Sequence, residues 1–476
     1  MNAADLPLLL PWLILGGGAL AVMGLIAFAR RHELVAGATL ATLALALVLL
    51  PAATGAGTAM VTPLLRVDGF ALFFTGLILA SALVTGVLAY LELRRRPVQQ
   101  PEELYLLLLL STLGGTALTA SAHFASFFLA LELLSVPLFA LIAYPVPRAR
   151  AVEAGFKYLV LSGASSAVLL FGMALIYAES GALGFADLAL QVPRESGGIG
   201  LYWVAGMAMI LAGVGFKLSL VPFHLWTPDI YQGAPPPVAG FVATVSKGAV
   251  FAVLLRYGVD TGVFQAPGPA AVAVLLAVAS MLAGNLLALL QENVRRLLAY
   301  SSIAHLGYLL VALLAGGSLG VEAAAYYLAA YFVTMLGAFG TVSAAGLDGR
   351  EVQDQTDLRG LFWRRPGLAV SFTLMLLSLA GIPLTMGFVG KFYLFVAGVG
   401  DMLWTLLGAL VVGSAIGLFY YLRLVGLLFQ PPEETAPPPR SDRAGGAVVA
   451  LLAVLLVLLG LYPTPLIDLI GVSAAG

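Results

Sequence analysis

Apolar runs of about twenty residues, separated by short polar or arginine-bearing turns, recur along the whole chain. A helix of that length crosses the hydrocarbon core of a bilayer. The runs fall near 7–29, 34–53, 70–91, 103–121, 124–144, 155–178, 199–221, 236–256, 269–290, 295–316, 321–345, 367–398, 402–428 and 446–470, fourteen in all. Asp5 precedes the first and no basic segment leads it, so 7–29 reads as a membrane span and not as a cleaved signal. Two stretches are too long for one straight helix. Residues 199–231 are interrupted at Pro222, whose ring removes a backbone donor, and 367–398 carry Gly381, Ile382 and Pro383 in the middle. Inside a membrane a broken helix survives only where protein or water satisfies the freed backbone groups, so both breaks mark an internal polar site.

The breaks imply a repeat. Each lies in the fourth span of a five-span block, and an odd number of spans per block forces the two blocks into opposite orientations. Inverted repeats with paired discontinuous helices are a transporter architecture, with ion sites near the midplane. The expectation is an all-α polytopic membrane protein of about fourteen helices. Its parts are an N-terminal three-helix segment (1–101), a first five-helix repeat (102–260), a second, inverted repeat (261–430) and a C-terminal helix (431–476). The outer parts would be peripheral packing.

Loop charge supports the even count. With the N-terminus outside, alternate loops carry Arg30, Arg31, Arg94, Arg95, Arg96, Arg148, Arg150, Arg295, Arg296, Arg350, Arg359, Arg364, Arg365, Arg440 and Arg443, and the opposite loops hold only Arg66, Arg194 and Arg256. Basic loops stay cytoplasmic, which places both termini on the periplasmic side of a bacterial inner membrane. A composition of 61% hydrophobic and 10% charged residues agrees with a protein embedded in lipid. A net charge of −1 without a basic tract gives no support for nucleic-acid binding, and the absence of cysteine excludes thiolate-held clusters and disulfides within the chain. Only His32, His123, His224 and His305 are available, and no dinucleotide fingerprint or metal site is legible.

Lysine is distributed unusually. The four lysines, Lys157, Lys217, Lys247 and Lys391, all lie in or at the edge of apolar segments, whereas every obvious loop cation is arginine. A charge at the bilayer centre costs about 2.5–3.5 kcal/mol even on a lenient scale. Buried lysine can release its proton and arginine cannot. Lys217 and Lys391 flank the two breaks, and Lys247 lies eleven residues into its span with Thr244 and Ser246 nearby; Tyr393 stands near Lys391. Glu132, eight residues into its span, has no cation within helical reach and needs one from another helix, with Lys217 the favoured partner; purely structural pairing is the alternative. Lys157 sits near a span start, where it could snorkel to the interface. His224 lies in the first break and is a relay candidate. His305 shares a face with Ser301 and Tyr308, a pattern equally suited to proton transfer or to hydrogen-bonded packing. Thr227, Pro228 and Asp229 read as a helix start, with Thr227 as cap.

A file of titratable groups at the midplane points to protons. Sodium is disfavoured by a row of lysines with one central carboxylate. With no nucleotide or redox site of its own, the chain must be coupled to a partner or run downhill as an antiporter. The runs LALELLSVP, GFKLSLVPFHLWTPDIYQGAPPPVAGFVATVSK, SSIAHLGYLL and GIPLTMGFVGKFYLF resemble the antiporter-like membrane subunits of NADH-quinone oxidoreductase, respiratory complex I, over nearly the whole chain. The resemblance implies that Glu132 tunes Lys217, that Lys217 and Lys247 lead protons along a central axis, and that Lys391 serves an exit-side half-channel. Lys157 and His224 would be secondary members. It implies neighbouring antiporter-like subunits as partners, with NADH, FMN, iron–sulfur clusters and quinone in other subunits and no cofactor in this chain. Lys391, where a sister branch carries glutamate, and the lack of a long lateral helix after the fourteenth span, point to one branch of the family. The proton-translocating subunits of multisubunit sodium/proton antiporters share the pattern and are the second reading; a non-conducting scaffold subunit is the third.

Overall fold

The computed structural model describes residues 6–54, 57–95, 98–144, 149–192, 200–346, 351–432 and 442–474. Arg96, Arg148, Arg194, Arg350 and Arg440 lie outside them. The chain is a helical bundle with one short antiparallel hairpin, β1 (Ala59–Thr62) and β2 (Leu65–Val67). Among the described residues, and leaving aside helical turns of five residues or fewer, its helices are α1 (Leu10–Ala29), α2 (His32–Thr54), α3 (Gly69–Arg95), α4 (Glu103–Thr119), α5 (Phe124–Ala143), α6 (Ala149–Ser180), α7 (Leu201–Leu218), α8 (Trp226–Gly233) and α9 (Pro236–Thr261). They continue as α10 (Pro267–Leu289), α11 (Val294–Ala315), α12 (Gly317–Ala345), α13 (Pro366–Ala380), α14 (Met386–Gly400), α15 (Trp404–Phe429), α16 (Arg443–Leu461) and α17 (Thr464–Ala474). Among the described residues, twelve helices are long and apolar enough to cross a membrane. The shorter α4 makes a further crossing and the half-helices α13 and α14 share another, so the path has the fourteen crossings expected of the apolar runs. The last expected run, 446–470, is divided: α16 ends at Leu461 and α17 turns back to pack on α3 and α12.

Loop contacts sort the path onto two ends. At one, Arg66 of the hairpin donates to Ala120 O (2.9 Å) and pairs with Asp260 (2.8 Å), and His123 bridges Gly184. At the other, Arg30 pairs with Glu103 (2.7 Å), Arg95 with Asp442 (3.2 Å) and Arg296 with Asp229 (2.7 Å), while Asn293 bridges Asp354. Each contact joins segments that an alternating fourteen-span path puts on the same side.

The two bridges reveal the repeat more sharply than any sequence identity. In the first block Phe124 N donates to Leu183 O and Phe185 N to Ala122 O; in the second Val294 N donates to Gln353 O and Gln355 N to Glu292 O, all at 2.9 Å. The same loop-to-loop pair therefore occurs once at each end of the bundle. The breaks match as well. The half-helix α7 stops at Ser219 and α13 at Gly381, both left-handed (φ 63° and 83°), with the next residue's N–H reaching back to Gly215 O and Leu377 O respectively. This is the ordinary C-terminal capping pattern of a helix. The first break thus begins at Ser219, three residues before Pro222, because a capped end and not the proline terminates the helix.

Burial rises toward the middle of the bundle. The span α9 is wholly buried and α12 and α11 nearly so, whereas α1, α2 and α16 are mostly exposed to what surrounds the bundle. Of the N-terminal helices, α3 packs inward against α4, α9, α12 and α17. Helix α6 meets α7 closely because Gly172 and Gly206 face each other: a Cβ on either would lie 2.7 Å from the other's carbonyl oxygen. Small residues at a crossing let two backbones approach where lipid offers no hydrophobic drive. Arg256 does not project from a loop. It is buried in the last turns of α9, donates to both Asp68 oxygens (2.6 and 2.7 Å) and to Thr119 O (3.1 Å), and lies over the Phe70 ring. Burial alone would raise the Asp68 carboxyl, but its bonds to Arg256, the Ala71 amide and Arg66 outweigh that and hold it below the usual carboxylate range.

Candidate functional site: a buried file of lysines, serines and tyrosines

The packed glycines of α6 and α7 create the first part of the site. They bring Lys217, in the last turn of α7, against serines of two neighbouring helices. Its Nζ, in a side chain only 2% exposed, donates to Ser162 Oγ of α6 (2.7 Å) and Ser135 Oγ of α5 (3.0 Å). One turn away along the same seam, Ser166 donates to Glu132 Oε1 (2.5 Å). Lys217 and Glu132 therefore share a seam without forming the direct ion pair the sequence favours. The serines stand between them, since Glu132 and Ser135 are three apart on one helix and Ser162 and Ser166 four apart on the other.

Lys247 occupies the centre. Its span opens into a π turn over Val242–Ser246, which ends at the lysine. Such bulges are frequent at functional sites because they re-aim the following side chain. Lys247 is 0% exposed, so it cannot snorkel. Its Nζ donates to Ser302 Oγ of α11 (2.8 Å) and lies over the rings of Tyr231 (5.2 Å) and Trp226 (5.8 Å). Ser302 also takes the Tyr331 hydroxyl proton (2.7 Å) and meets Tyr231 Oη (3.3 Å). The hydroxyls expected beside Lys247 are not its partners, because Thr244 turns back to Gly240 O (2.7 Å).

Lys391 reaches back across the second break. Its Nζ donates to Leu379 O and Ala380 O (3.0 Å each), the last carbonyls of α13, and lies 5.2 Å over the Tyr308 ring. Gly381 makes this possible, since a Cβ there would stand 2.8 Å from Lys391 Cδ. Aligning the caps Ser219 and Gly381 makes Leu379 the counterpart of Lys217. Both breaks thus have a lysine at the end of the first half-helix, but one belongs to the last turn of that half-helix and bonds serines of its neighbours, and the other comes from across the break to the terminal carbonyls, where the helix dipole favours a cation. Tyr393, expected beside Lys391, instead stacks on Tyr326.

His305 lies between the two lysine centres. Its Nδ1 meets Tyr327 Oη (2.7 Å) and its Nε2 meets Tyr421 Oη (3.4 Å), while Tyr421 Oη bonds Ser301 Oγ and the Tyr331 ring lies 5.6 Å away. A cavity of about 10 Å³ lies beside His305, Tyr331, Thr334 and Ser378. His224 is buried in the first break against Tyr300, and its Nδ1 has no hydrogen-bond partner among the described residues. Aligning the loop bridges pairs Phe124 with Val294, so Glu132 corresponds to Ser302 and Ser135 to His305. The two halves place polar side chains at the same helix positions but fill them with different chemistry.

Lys157 is not part of this file. Its side chain is 42% exposed and pairs with Glu153 (2.7 Å) and Asp229 (3.0 Å) in a crevice of about 110 Å³ on the arginine-rich end, lined also by Arg150 and Gln232. Asp229 accordingly bridges Lys157 and Arg296 and is not a helix cap. Thr227 does not cap α8 either; its hydroxyl donates to Ser219 Oγ (2.5 Å). The partners that sequence reasoning missed are hydroxyl groups, Ser135, Ser162, Ser166, Ser302, Tyr231, Tyr327, Tyr331 and Tyr421. The i, i+4 spacing of Ser162 and Ser166 was the one local signal available; the others are fixed only by packing.

The discontinuous helices and the three buried ammonium groups, each held by neutral oxygens, define an integral-membrane protein of the antiporter-like class. The family described as NADH:quinone oxidoreductase/Mrp antiporter, TM, matches residues 121–417, and the chain belongs to it. It is 50% identical over 473 residues to NADH-quinone oxidoreductase subunit N of Methylococcus capsulatus, covering 98% of this chain and 95% of that protein. A chain of respiratory complex I from Thermus thermophilus is 35% identical, covering 97% of this chain and 100% of that chain, with a TM-score of 0.83. A chain of the Mrp complex from Dietzia sp. matches the fold with a TM-score of 0.87 at 22% identity, covering 99% and 97% of the two chains.

Proposed function

We propose that this chain is the subunit-N, antiporter-like membrane subunit of a bacterial NADH-quinone oxidoreductase, and that it moves protons while quinone is reduced elsewhere in the complex. Glu132 sets the charge beside Lys217; Lys217, Lys247 and Lys391 take up and release protons along the axis. His305 carries protons between Lys247 and Lys391, with His224 flanking the first break. Lys157 stands apart from this file and has at most an electrostatic part at the surface. The observation that carries the reading is the burial of three ammonium-bearing side chains that can release a proton, each bonded to neutral oxygens and none to a carboxylate. NADH, FMN, iron–sulfur clusters and quinone belong to partner subunits on this reading. The units are 1–101, 102–260, 261–430 and 431–476, supported by the matched loop bridges and caps, with both termini on the periplasmic side.

Two other readings are disfavoured. The Mrp-type antiporter shares the fold, but the half-identical relative over almost the full length is a subunit N. A scaffold would not need three buried lysines. The test is Lys217→Arg in the assembled complex in sealed vesicles, with electron transfer and proton uptake recorded together. Arginine keeps the charge and cannot release its proton. Assembly with collapse of pumping is expected; wild-type pumping would leave Lys217 as a counter-charge only.

A further inference from the structure

The hydroxyl network on the far side of His305 links α10, α11, α12 and α15 through their side chains. His305 is 5% exposed and both its ring nitrogens face phenols, Tyr327 Oη of α12 at Nδ1 and Tyr421 Oη of α15 at Nε2. Tyr421 Oη in turn bonds Ser301 Oγ, four residues before His305 on the same helix. The neighbouring Tyr420 pins this arrangement. Its hydroxyl donates to Asn285 Oδ1 (3.0 Å), while Asn285 Nδ2 donates to Met281 O (2.7 Å) and Tyr308 Oη (2.9 Å), so the amide has no spare donor. The rings of Tyr420 and Tyr421 are 4.3 Å apart, which fixes the second tyrosine through the first.

We propose that Tyr421 is a further proton-carrying residue of the path, joining His305 to Ser301. An imidazole between two phenols can pass a proton without becoming charged: one nitrogen is a donor and the other an acceptor, and the two exchange roles. When a water admitted to the small cavity that Tyr327 lines protonates Tyr327 and Tyr327 gives its own proton to Nδ1, the proton on Nε2 passes to Tyr421 Oη, whose own proton passes to Ser301 Oγ, and Ser301 gives its own to a second water. One proton enters at Tyr327 and one leaves at Ser301, so no group in the chain ends with a changed charge. Rotation of the hydroxyls then restores the starting direction. The titratable side chains around Tyr421 are His305 and Tyr308 on α11, Tyr327 and Tyr331 on α12 and Tyr420 on its own helix, with Lys391 of α14 beyond Tyr308.

The proposal rests on the proton-path reading above, and its test separates the two. In the assembled complex in sealed vesicles, Tyr421→Phe deletes one oxygen, and 3-fluorotyrosine placed at 421 keeps the oxygen but makes the phenol more acidic. Expected are a severalfold loss of pumping per electron pair in Tyr421→Phe, and a severalfold change in pumping rate with the fluorinated residue. Wild-type pumping in Tyr421→Phe overturns the proposal. So does an unchanged rate with the fluorinated residue, whether or not Tyr421→Phe assembles, because a packing role does not depend on phenol acidity. Lys247→Arg is the control: loss of pumping there with an unchanged fluorotyrosine rate removes Tyr421 alone, and wild-type pumping there removes the proton path and this proposal together.

Discussion

The number of oxygen partners separates the lysines from one another. Lys217 has two serines, so Ser135→Ala leaves Ser162 in place, whereas among the described residues Lys247 has Ser302 as its one hydrogen-bond partner. A buried polar group left without its partner costs about 1–3 kcal/mol, more when charged. Ser302→Ala is therefore expected to slow pumping by an order of magnitude or more and Ser135→Ala by only a few-fold, as measured by proton uptake per NADH oxidised; equal effects would contradict the geometry. The double change Ser135→Ala/Ser162→Ala should reach the severity of Ser302→Ala. Glu132 was legible as a lone carboxylate in an apolar run and the lysines as intramembrane cations, because cost alone marks such residues. Their partners were not legible. Serine and tyrosine in a membrane helix carry little penalty, and only the approach of separate helices decides which hydroxyl faces which ammonium.

The breaks were visible as excess length with glycine and proline, but their mechanics were not. The helix cap at Ser219 and the reach of Lys391 onto Leu379 O and Ala380 O depend on a left-handed residue and on a side chain arriving from across the gap. Gly381→Ala tests the second break. A left-handed alanine is disfavoured by about 1–2 kcal/mol, and its Cβ would press on Lys391 Cδ at 2.8 Å. The variant should assemble with a lower thermal midpoint and lose pumping, with electron transfer impaired less than pumping. The buried Arg256 ties the end of α9 to the start of α3, a link hidden in the sequence because Asp68 and Arg256 are far apart along the chain. Removing one partner of a buried ion pair costs about 3–5 kcal/mol, so Asp68→Asn should markedly lower the assembled yield and thermal midpoint. Because the folded state lowers the Asp68 carboxyl, that stability is present above the ordinary carboxylate range near pH 4 and is lost as pH falls through the lowered value. The acid limb of a thermal-stability profile should therefore flatten in Asp68→Asn.

At the scale of the molecule, the order of crossings was the most legible feature, since period and length need no partner to be read. Packing depth was not. The sequence makes the first three spans peripheral, yet α3 is packed among α4, α9, α12 and α17. The two ends of the bundle predict a labelling pattern, and a chain with no cysteine is ready for it. A single cysteine at Arg31 should react with a membrane-impermeant maleimide only from the cytoplasmic side, and one at Ala182 only from the periplasmic side; the reverse pattern would invert the orientation. The π turn over Val242–Ser246 has a wider consequence. It adds one residue to a helix that serves two sets of neighbours, α3 and α12 before the turn and α4 after it. In a regular α-helix one added residue would turn everything beyond it by about 100°. The π turn takes up that residue within a single widened turn, so Lys247 and the Pro236 end each keep the helices they face. The extra residue is a splice that keeps two registers in phase on one continuous rod, and a family of chains could gain or lose it at that point without changing either set of partners.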